Sequence, residues 1–231
     1  MRGRPAQPAS AQALLEMLSQ QISINDLPAE YRENVRLVID KPTLKASGPL
    51  EVFRGNPHFY YWLLENPDQA VQIWRRLGAK CMDISNRGGG RFGWSDKHGS
   101  DIAWQTIYRG PNLHIWYAEG SAKPTPWLPA VPVRAVAILR HAACTDRLGG
   151  TLIHHRAEIA FLTDSKAASL ITQLMGDSAQ KLAHQCVAQM ELFFSGLAWY
   201  LDQHPERYSE LGLCWWNGVP GPNAVVPAYR R

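Results

Sequence analysis

The chain has 231 residues, of which 45% are hydrophobic and 19% charged, so it can bury a sizeable core and global disorder is excluded. Lysine and arginine number 24 against 20 aspartates and glutamates, and no run of more than two basic residues occurs. Recognition of phosphates needs a clustered basic face, so nucleic-acid binding is not expected.

The N-terminus and the cysteines bear on the cellular location. No stretch of about 18 apolar residues exists, as a membrane-spanning helix would need, and polar residues interrupt the region where a secretory signal has its apolar centre. The cysteines are far apart, which fits reduced thiols better than a disulfide framework or a zinc site. We therefore expect a soluble, cytoplasmic protein without a cofactor or metal. Transient membrane contact and the oligomeric state stay open.

Two short helices are predicted in the N-terminal region, residues 1–43. Residues 10–22 carry apolar side chains at helical spacing, and Pro28 fits the first turn of a second helix over 28–38. Pro42 ends this region. We expect the helix pair to be an addition that packs against the main domain.

The main domain is predicted to span residues 44–203. It opens with a strand over 48–54, followed by a helix over 57–64 and another over 67–77. Asn66 is a favourable N-cap for the second of these helices, because its side chain can accept a bond from a free backbone N–H group. The proline that follows Asn66 suits the first helical position.

A run of strands joined by turns follows the two short helices. Turn signals such as Gly88-Gly89-Gly90 separate them, and strands joined by tight turns are antiparallel. A proline-rich loop over 120–130 interrupts the run. The predicted strands span 81–86, 91–95, 101–108, 113–118, 131–142 and 151–163. Both faces of strand 131–142 are apolar, so the sequence leaves open which face points inward.

The strongest helix signal lies after the last strand. A first piece is predicted over 166–175, a kink at Gly176, and a second piece that ends before Pro205. Apolar residues recur along the second piece at spacings of three and four, and this stripe must be buried against the sheet. Residues 204–231, which contain Trp215-Trp216 and several prolines, are predicted to form an irregular tail.

This order of elements resembles the helix-grip superfamily, called START-like or SRPBCC, which includes the birch-pollen-allergen fold, lipid-transfer START domains and polyketide cyclases. The resemblance covers about residues 44–203. It is carried by Asn66-Pro67 through Leu77-Gly78, by the strands that end in 152–161, and by the helix from Lys166 to Gln203. It implies an α+β fold in which a curved antiparallel sheet grips the long C-terminal helix.

The resemblance also implies a cavity between sheet and helix for an apolar molecule such as a lipid, a sterol or a polyketide-like compound. The superfamily has no strict sequence motif, so no catalytic residue is carried over. The N-terminal helices and the tail depart from the minimal pattern, and they are expected to cover the mouth of the cavity or to mediate contacts.

Candidate ligand-binding residues lie on the strands and on the long helix. A pocket of this kind is lined by apolar and aromatic side chains with a few polar groups that orient the ligand. For each residue alone, ordinary core packing is an equally good explanation. The predicted residues are Trp104, Thr106, Tyr108, Tyr117, His155, Met190 and Phe193.

His155 is the weak candidate for catalysis. On strand 151–163, Ile153 and Phe161 mark the face that we expect to be buried, and this makes His155 the polar group on that face. It is a candidate general acid or base of a cyclase-type site, although a buried histidine bonded to a backbone carbonyl is the more common case. Converging imidazoles also suit a metal, but structural or surface roles are favoured for the strand histidines His114, His141, His154 and His155.

Charged residues on the two long strands have two interpretations. Arg134, Arg156 and Glu158 are expected to form cross-strand pairs on the solvent face. The alternative places them inside the cavity, where a guanidinium would hold a ligand carboxylate. The triple glycine lacks the Lys-Ser/Thr of a phosphate loop.

Three functions follow from these observations. The first is binding or transport of an apolar small molecule. The second is a cyclase, aromatase or dehydratase that uses the same cavity, with His155 as acid or base and Tyr108 or Tyr117 polarising a carbonyl. The third is a protein-interaction module without ligand. The fold alone is weak support for any of them.

Overall fold

The computed structural model describes residues 22–96, 99–123, 130–146, 148–164 and 176–213. The α-helices are α1 (Ala29–Asp40), α2 (Pro57–Glu65), α3 (Pro67–Arg76), α4 (Asp177–Gln203) and α5 (Arg207–Glu210). The strands are β1 (Leu44–Ser47), β2 (Glu51–Arg54), β3 (Ser85–Gly88), β4 (Arg91–Ser95), β5 (Asp101–Gly110), β6 (Leu113–Ala122), β7 (Val131–Thr145) and β8 (Thr151–Thr163).

All the strands belong to one antiparallel sheet, in the order β1-β8-β7-β6-β5-β4-β3. β2 also pairs with β8, one stretch further along the same edge. The single strand predicted over 48–54 is therefore two short strands, and the chain leaves the sheet edge between them at residues 48–50. We call these three residues the edge gap.

Local sequence explains where the short helices begin and end. The Asn56 side chain accepts hydrogen bonds from the backbone N–H groups of His58 and Phe59 at the start of α2, which satisfies two of its free donors. Proline occupies the first turn of α2 and of α3. Gly78 follows α3 with φ of +89°, a conformation that glycine adopts without strain. These helices match the predicted ranges closely.

The long helix α4 has 27 residues and spans roughly 40 Å. It begins at Asp177, directly after Gly176, where the sequence predicted a kink, and it ends at Gln203. It packs along β1, β2 and β8 and against α2 and α3. The predicted piece over 166–175 lies outside the described residues. The helix-grip architecture expected from the order of elements is confirmed.

The two faces of the sheet are covered differently. The inner face packs against α2, α3 and α4, where the largest cluster of buried side chains lies. The outer face packs against α1, through Val35 and Val38 among others. Helix α1 thus packs against the main domain as expected, but on the face away from α4. It does not cover a cavity between sheet and helix, because that face belongs to the other elements.

A β-bulge changes the pattern of β5. Thr106 pairs with Trp116, but Tyr108 pairs with the next residue along β6, Ile115, so Ile107 is an extra residue. The extra residue breaks the alternation, because each residue beyond a bulge turns to the opposite face. Tyr108 therefore packs with the outer cluster beside Ile107. Tyr108, which the sequence predicted to line the pocket together with Trp104, therefore lies on the opposite face of the sheet.

Other boundaries differ from the sequence prediction. The first strand after α3 begins at Ser85 instead of residue 81, and β6 continues to Ala122, into the predicted loop. The tail is partly regular, since α5 is helical and Leu211 and Leu213 behind it are buried. Residues 10–21 of the helix predicted over 10–22, loop residues 124–129 and Trp215-Trp216 lie outside the described residues. No described helix is both long enough and apolar enough to cross a membrane.

The contact of α4 with the core can be tested at Leu197, which is fully buried. We expect Leu197→Ala to lower the free energy of unfolding by about 3 kcal/mol, since it removes buried methyl groups and leaves a void. Urea unfolding followed by circular dichroism measures the change. Leu148→Ala, at a position that is 89% exposed, is the matched control and should change stability by less than about 0.5 kcal/mol. Equal effects of the two substitutions would contradict this placement of α4.

Candidate functional site

A cavity of about 650 Å³ lies between the inner face of the sheet and α4. Its sheet side carries Trp104, Trp116 and Phe161, and its helix side carries Met190 and Phe193. Trp116 and Phe194 meet across the two sides, with ring centroids 6.1 Å apart and planes within 4° of parallel. The lining is almost wholly apolar, so water inside it finds few hydrogen-bond partners.

Small side chains leave the space open. Ala135 and Ala137 of β7 line the centre of the sheet, and Ala179 and Ala183 line the first turns of α4. Val136, between the two β7 alanines, packs in the outer cluster instead. The question of which face of β7 points inward is therefore answered, and the inward face is the one with the smaller side chains.

Polar groups gather at one end of the cavity, where the loop after β4 meets the end of β6. Asp96, Ser100 and Lys123 line this end. The Ser100 backbone N–H donates to Asp96 Oδ1 at 2.8 Å, and the Lys123 backbone N–H donates to Ser100 Oγ at 3.0 Å. The backbone bonds fix this corner, so a ligand with one polar end would meet its polar partners here.

Three of the predicted ligand-binding residues line the cavity: Trp104, Met190 and Phe193. Thr106 has the same inward orientation as Trp104, since it lies two residues along β5 before the bulge. It is buried beyond the cavity wall, and its hydroxyl oxygen has no hydrogen-bond partner among the described residues. Thr106 is thus near the cavity but not part of its surface.

Tyr108 and Tyr117 lie on the outer face and do not line the cavity. Tyr117 packs against Tyr31 of α1, with ring centroids 5.5 Å apart, and its hydroxyl donates to Glu119 at 3.1 Å. Burial, together with the Glu119 charge, raises the pKa of Tyr117 to about 12. Neither tyrosine is placed to polarise a carbonyl of a ligand in the cavity, which corrects the expectation from the sequence.

His155 lies on the inner face, as expected, and is fully buried. It is not part of the cavity lining. Its Nδ1 is 2.8 Å from the hydroxyl of Tyr60, and its Nε2 is 2.9 Å from Glu51 Oε2. Burial lowers the pKa of His155, although the carboxylate of Glu51 opposes this. The ring therefore belongs to a separate polar cluster beneath α2.

The hydrogen-bond partners assign the proton of His155. The Glu51 carboxylate can only accept, so His155 Nε2 carries the hydrogen and donates it. The unprotonated Nδ1 of His155 then accepts from the Tyr60 hydroxyl. Ser195 of α4 also donates to Glu51 Oε2, at 3.1 Å. Two donors thus converge on one carboxylate oxygen. A catalytic serine would need a base beside it, but Ser195 donates to Glu51 instead of to the histidine.

The other inward histidines continue this polar row across the sheet. His141 pairs directly with His155 across β7 and β8, and the rings of His114 and His141 are 5.9 Å apart. Within the described ranges, neither ring nitrogen of His141 has a hydrogen-bond partner. Burial and the two neighbouring histidines lower its pKa to about 3. His141 is therefore neutral at pH 7.

Glu65 forms the far end of the row. Its carboxylate accepts from Arg109 at 2.6 Å and lies 2.6 Å from His114 Nε2. Burial alone would raise the pKa of Glu65, but the bonds from His114 and Arg109 outweigh it and lower the pKa. In the part of the chain that the structure describes, no three histidine, cysteine, aspartate or glutamate side chains could together hold a metal ion.

Glu158 forms a cross-strand ion pair on the outer face as expected, but its partner is Arg140 instead of Arg134 or Arg156. Glu158 accepts from Arg140 at 3.0 Å across β7 and β8, and Lys45 lies 3.9 Å from the same carboxylate. Arg156 reaches toward Ser47 at the edge of the sheet. These groups lie on the face opposite the cavity, so they do not hold a ligand inside it.

Several site residues were not found from the sequence. Glu51, Tyr60, Glu65 and Ser195 belong to elements that sequence separates from the histidines by up to about a hundred positions, so no local pattern joins them. Glu191 did carry a signal. It lies four residues after Val187 and three before Phe194, both buried positions on α4, so a charged residue interrupts the buried stripe.

Comparison with solved structures gives remote similarities, while no protein-family model matches the chain and no curated protein sequence matches it. The di-domain ARO/CYC protein StfQ from the steffimycin biosynthetic pathway shares 14% identity, with 77% of this chain and 55% of that chain covered and a TM-score of 0.44. A conserved protein from Geobacillus kaustophilus shares 13%, over 60% and 87% of the two chains, with a TM-score of 0.41.

Norcoclaurine synthase from Thalictrum flavum shares 11% identity, with 67% of this chain and 86% of that chain covered and a TM-score of 0.37. All these TM-scores lie below 0.5, so the fold and the site are argued from the geometry of this chain.

The contribution of Glu65 to the free energy of unfolding at low pH can be tested by substitution. Its lowered pKa means that the ionised carboxylate stabilises the fold above the ordinary value of 4.5, and that this contribution is lost as the pH falls through the folded pKa. We expect Glu65→Gln to cost about 1–2 kcal/mol at pH 7 and less at pH 3.5, measured by urea unfolding.

The control for this prediction is Glu33→Gln, since Glu33 is an exposed carboxylate on α1. It should have almost no effect at either pH. A cost of Glu65→Gln that stays constant between pH 7 and pH 3.5 would show that the ionised form is not what the fold uses.

Proposed function

We propose that this protein binds an apolar small molecule in the cavity between the sheet and α4. The single observation that carries the proposal is an unfilled space of about 650 Å³ with an almost wholly apolar lining. Pockets for small molecules commonly measure about 300–1,000 Å³. Lipids, sterols and polyketide-like compounds are the classes whose size and polarity fit such a space.

The polar end of the cavity supports a ligand with one polar group. Asp96, Ser100 and Lys123 lie at that end, whereas most of the remaining lining is aromatic or alkyl. A hydroxyl, carbonyl or carboxylate placed there would keep hydrogen-bond partners, and the apolar body would be removed from water. Burial of apolar surface would then supply most of the affinity, at about 25 cal/mol per Å².

A cyclase, aromatase or dehydratase is the second candidate. It needs an acid or base that reaches the reacting atoms in the cavity. His155, the acid or base named for this reaction, lies outside the lining, and Tyr108 and Tyr117 lie on the other face. The ionisable groups of the lining gather at its polar end. Binding or transport is therefore favoured over catalysis.

An interaction module without ligand is the third candidate. This function requires no space inside the domain, and in a well-packed interior large voids are rare because they forfeit dispersion contacts. A cavity of this size is thus better explained by an occupant than by a purely external role.

Native mass spectrometry of the purified protein tests the proposal directly. A discrete additional mass that disappears on denaturing extraction would support a bound small molecule and give its class. If only the mass of the chain itself is seen, binding is tested with an added ligand. The uncharged apolar fluorophore N-phenyl-1-naphthylamine is a suitable probe. Failure to bind apolar compounds of any of the three classes would contradict the proposal.

A substitution that fills the cavity should abolish probe binding. Ala137 lies in the cavity wall between Trp116 and Ile159 on the neighbouring strands. We expect Ala137→Trp to weaken N-phenyl-1-naphthylamine binding at least about tenfold, because the indole occupies the ligand space. Fluorescence titration measures the change, and circular dichroism checks the fold. Ala29→Trp, the same change at an exposed position of α1, should bind as the wild type does. Equal binding by both variants would place the probe outside the cavity.

A further inference from the structure

Glu191 is the one acidic residue that α4 buries completely. It lies opposite the edge gap, where β1 has ended and β2 has not begun. Ala157 of β8 faces this gap. Its carbonyl still accepts from the Gly48 N–H at 2.9 Å, but its own N–H donates to Glu191 Oε1 at 2.7 Å. A carboxyl group from the helix thus replaces the strand partner that the gap removes.

The fit around this carboxyl group is close. A Cβ atom on Gly48 would lie 2.1 Å from Glu191 Oε2 and 2.3 Å from Oε1, so a side chain at residue 48 would require the carboxyl group to move. Glu191 Oε2 has no hydrogen-bond partner within the described part of the chain. An ionised carboxylate in this position would keep one hydrogen bond and lose its water, which is costly.

Each element around Glu191 contributes a group that acts on its charge. On β8 the Ala157 N–H and the Arg156 guanidinium favour the ionised form. The carboxylate of Glu51 on β2 repels a second negative charge, and Tyr60 on α2 is a buried hydroxyl nearby. Lys45 of β1 instead pairs with Glu158 on the outer face. Burial is the largest effect, and it raises the pKa of Glu191 to about 7.

The same turn of α4 forms part of the cavity wall. Met190 and Phe194, on either side of Glu191 in the helix, line the cavity. A change in how closely α4 sits against the edge gap therefore changes the wall that holds the ligand. Glu191 does not itself touch the cavity, so it can act only by positioning the helix.

We propose that a proton on Glu191 holds α4 against the edge gap, and that loss of this proton loosens the helix and speeds the release of ligand from the cavity. The inference rests on the proposed function of the cavity, and it adds a means of regulation. Acidification tightens the grip of the helix on its ligand, and a shift toward neutral pH relaxes it.

The direction of the pH effect follows from linkage. The fold raises the pKa of Glu191 above the ordinary value of 4.5, so the folded state binds this proton more tightly than the unfolded state does. The stabilisation is complete below about pH 4.5 and is lost as the pH rises to about 7. Across this window the unfolding equilibrium constant should rise roughly 300-fold on account of this group, tenfold for each unit of pKa shift.

Glu191→Gln distinguishes the effect of protonation from the effect of packing. The glutamine amide keeps an acceptor for the Ala157 N–H, but it is neutral at every pH. Between pH 5 and pH 8 we expect the unfolding equilibrium constant of the wild type to rise by tens of fold relative to that of Glu191→Gln. Urea unfolding at several pH values measures it. Asp202→Asn, which removes an exposed carboxylate of the same helix, is the control and should follow the wild-type profile.

Parallel profiles of the wild type and Glu191→Gln would overturn the inference. A ¹³C NMR titration of the glutamate carboxyl groups in the wild-type protein tests the same point without relying on a variant that folds. A carboxyl midpoint near pH 7 that is missing from the Glu191→Gln spectrum supports the assignment. If all the glutamates titrate below about pH 5.5, the inference is wrong.

Release of N-phenyl-1-naphthylamine, followed by stopped-flow fluorescence, tests the effect on the cavity. The wild type should release the probe at least about tenfold faster at pH 7.5 than at pH 5, and Glu191→Gln should release it slowly at both. Equal wild-type rates at the two pH values would overturn this inference and leave the proposed function intact. Absence of binding to the wild type at every pH would overturn both.

Discussion

The hydrogen bond between Glu191 of α4 and the backbone of Ala157 in β8 is the constraint on which the arrangement of sheet and helix depends. A sheet edge that is interrupted exposes backbone groups, and buried groups of this kind need a partner. Here the partner is a side chain from the helix that crosses the sheet. The interruption of the edge, the glycine at residue 48 and the buried carboxyl group therefore form one feature. The carboxyl group occupies the space beside Gly48 and accepts from the N–H that the interruption leaves without a strand partner.

The helix held in this way divides the inner face into two halves. Beneath α2 the face is filled by a row of imidazoles, which runs from Glu51 to Glu65 and which the rings of Tyr60 and Tyr61 cover. The other half carries the β7 alanines and stays open. A polar row needs close packing, because each unpaired group costs free energy, whereas an apolar cavity loses only contacts. The row of histidines is thus kept apart from the open cavity.

Much of the fold could be predicted from the sequence because its signals are local. A capping asparagine and a proline mark the start of α2, a proline marks the start of α3, and apolar residues at spacings of three and four mark α4. The bounds of β8 match the prediction. The prediction failed where a short irregularity in a strand changes the pairing or the orientation of the residues that follow it. The extra Ile107 sends Tyr108 to the outer face, and residues 48–50 divide one strand into two. A bulge or a gap has no distinctive composition, so alternation counted along the chain continues past it unnoticed.

The site was harder to predict because contacts across the fold decide it. Trp104, Met190 and Phe193 were found since apolar residues on the correct faces necessarily meet, whichever side chains are opposite. His155 was placed on the correct face, yet whether it reaches the cavity depends on α2, whose Tyr60 lies 95 positions away. For Glu191 the argument can run in the other direction. A carboxyl group on a helical stripe that must be buried demands a compensating donor on the element that the stripe faces. Here that donor is the Ala157 N–H, which the break between β1 and β2 leaves without a strand partner.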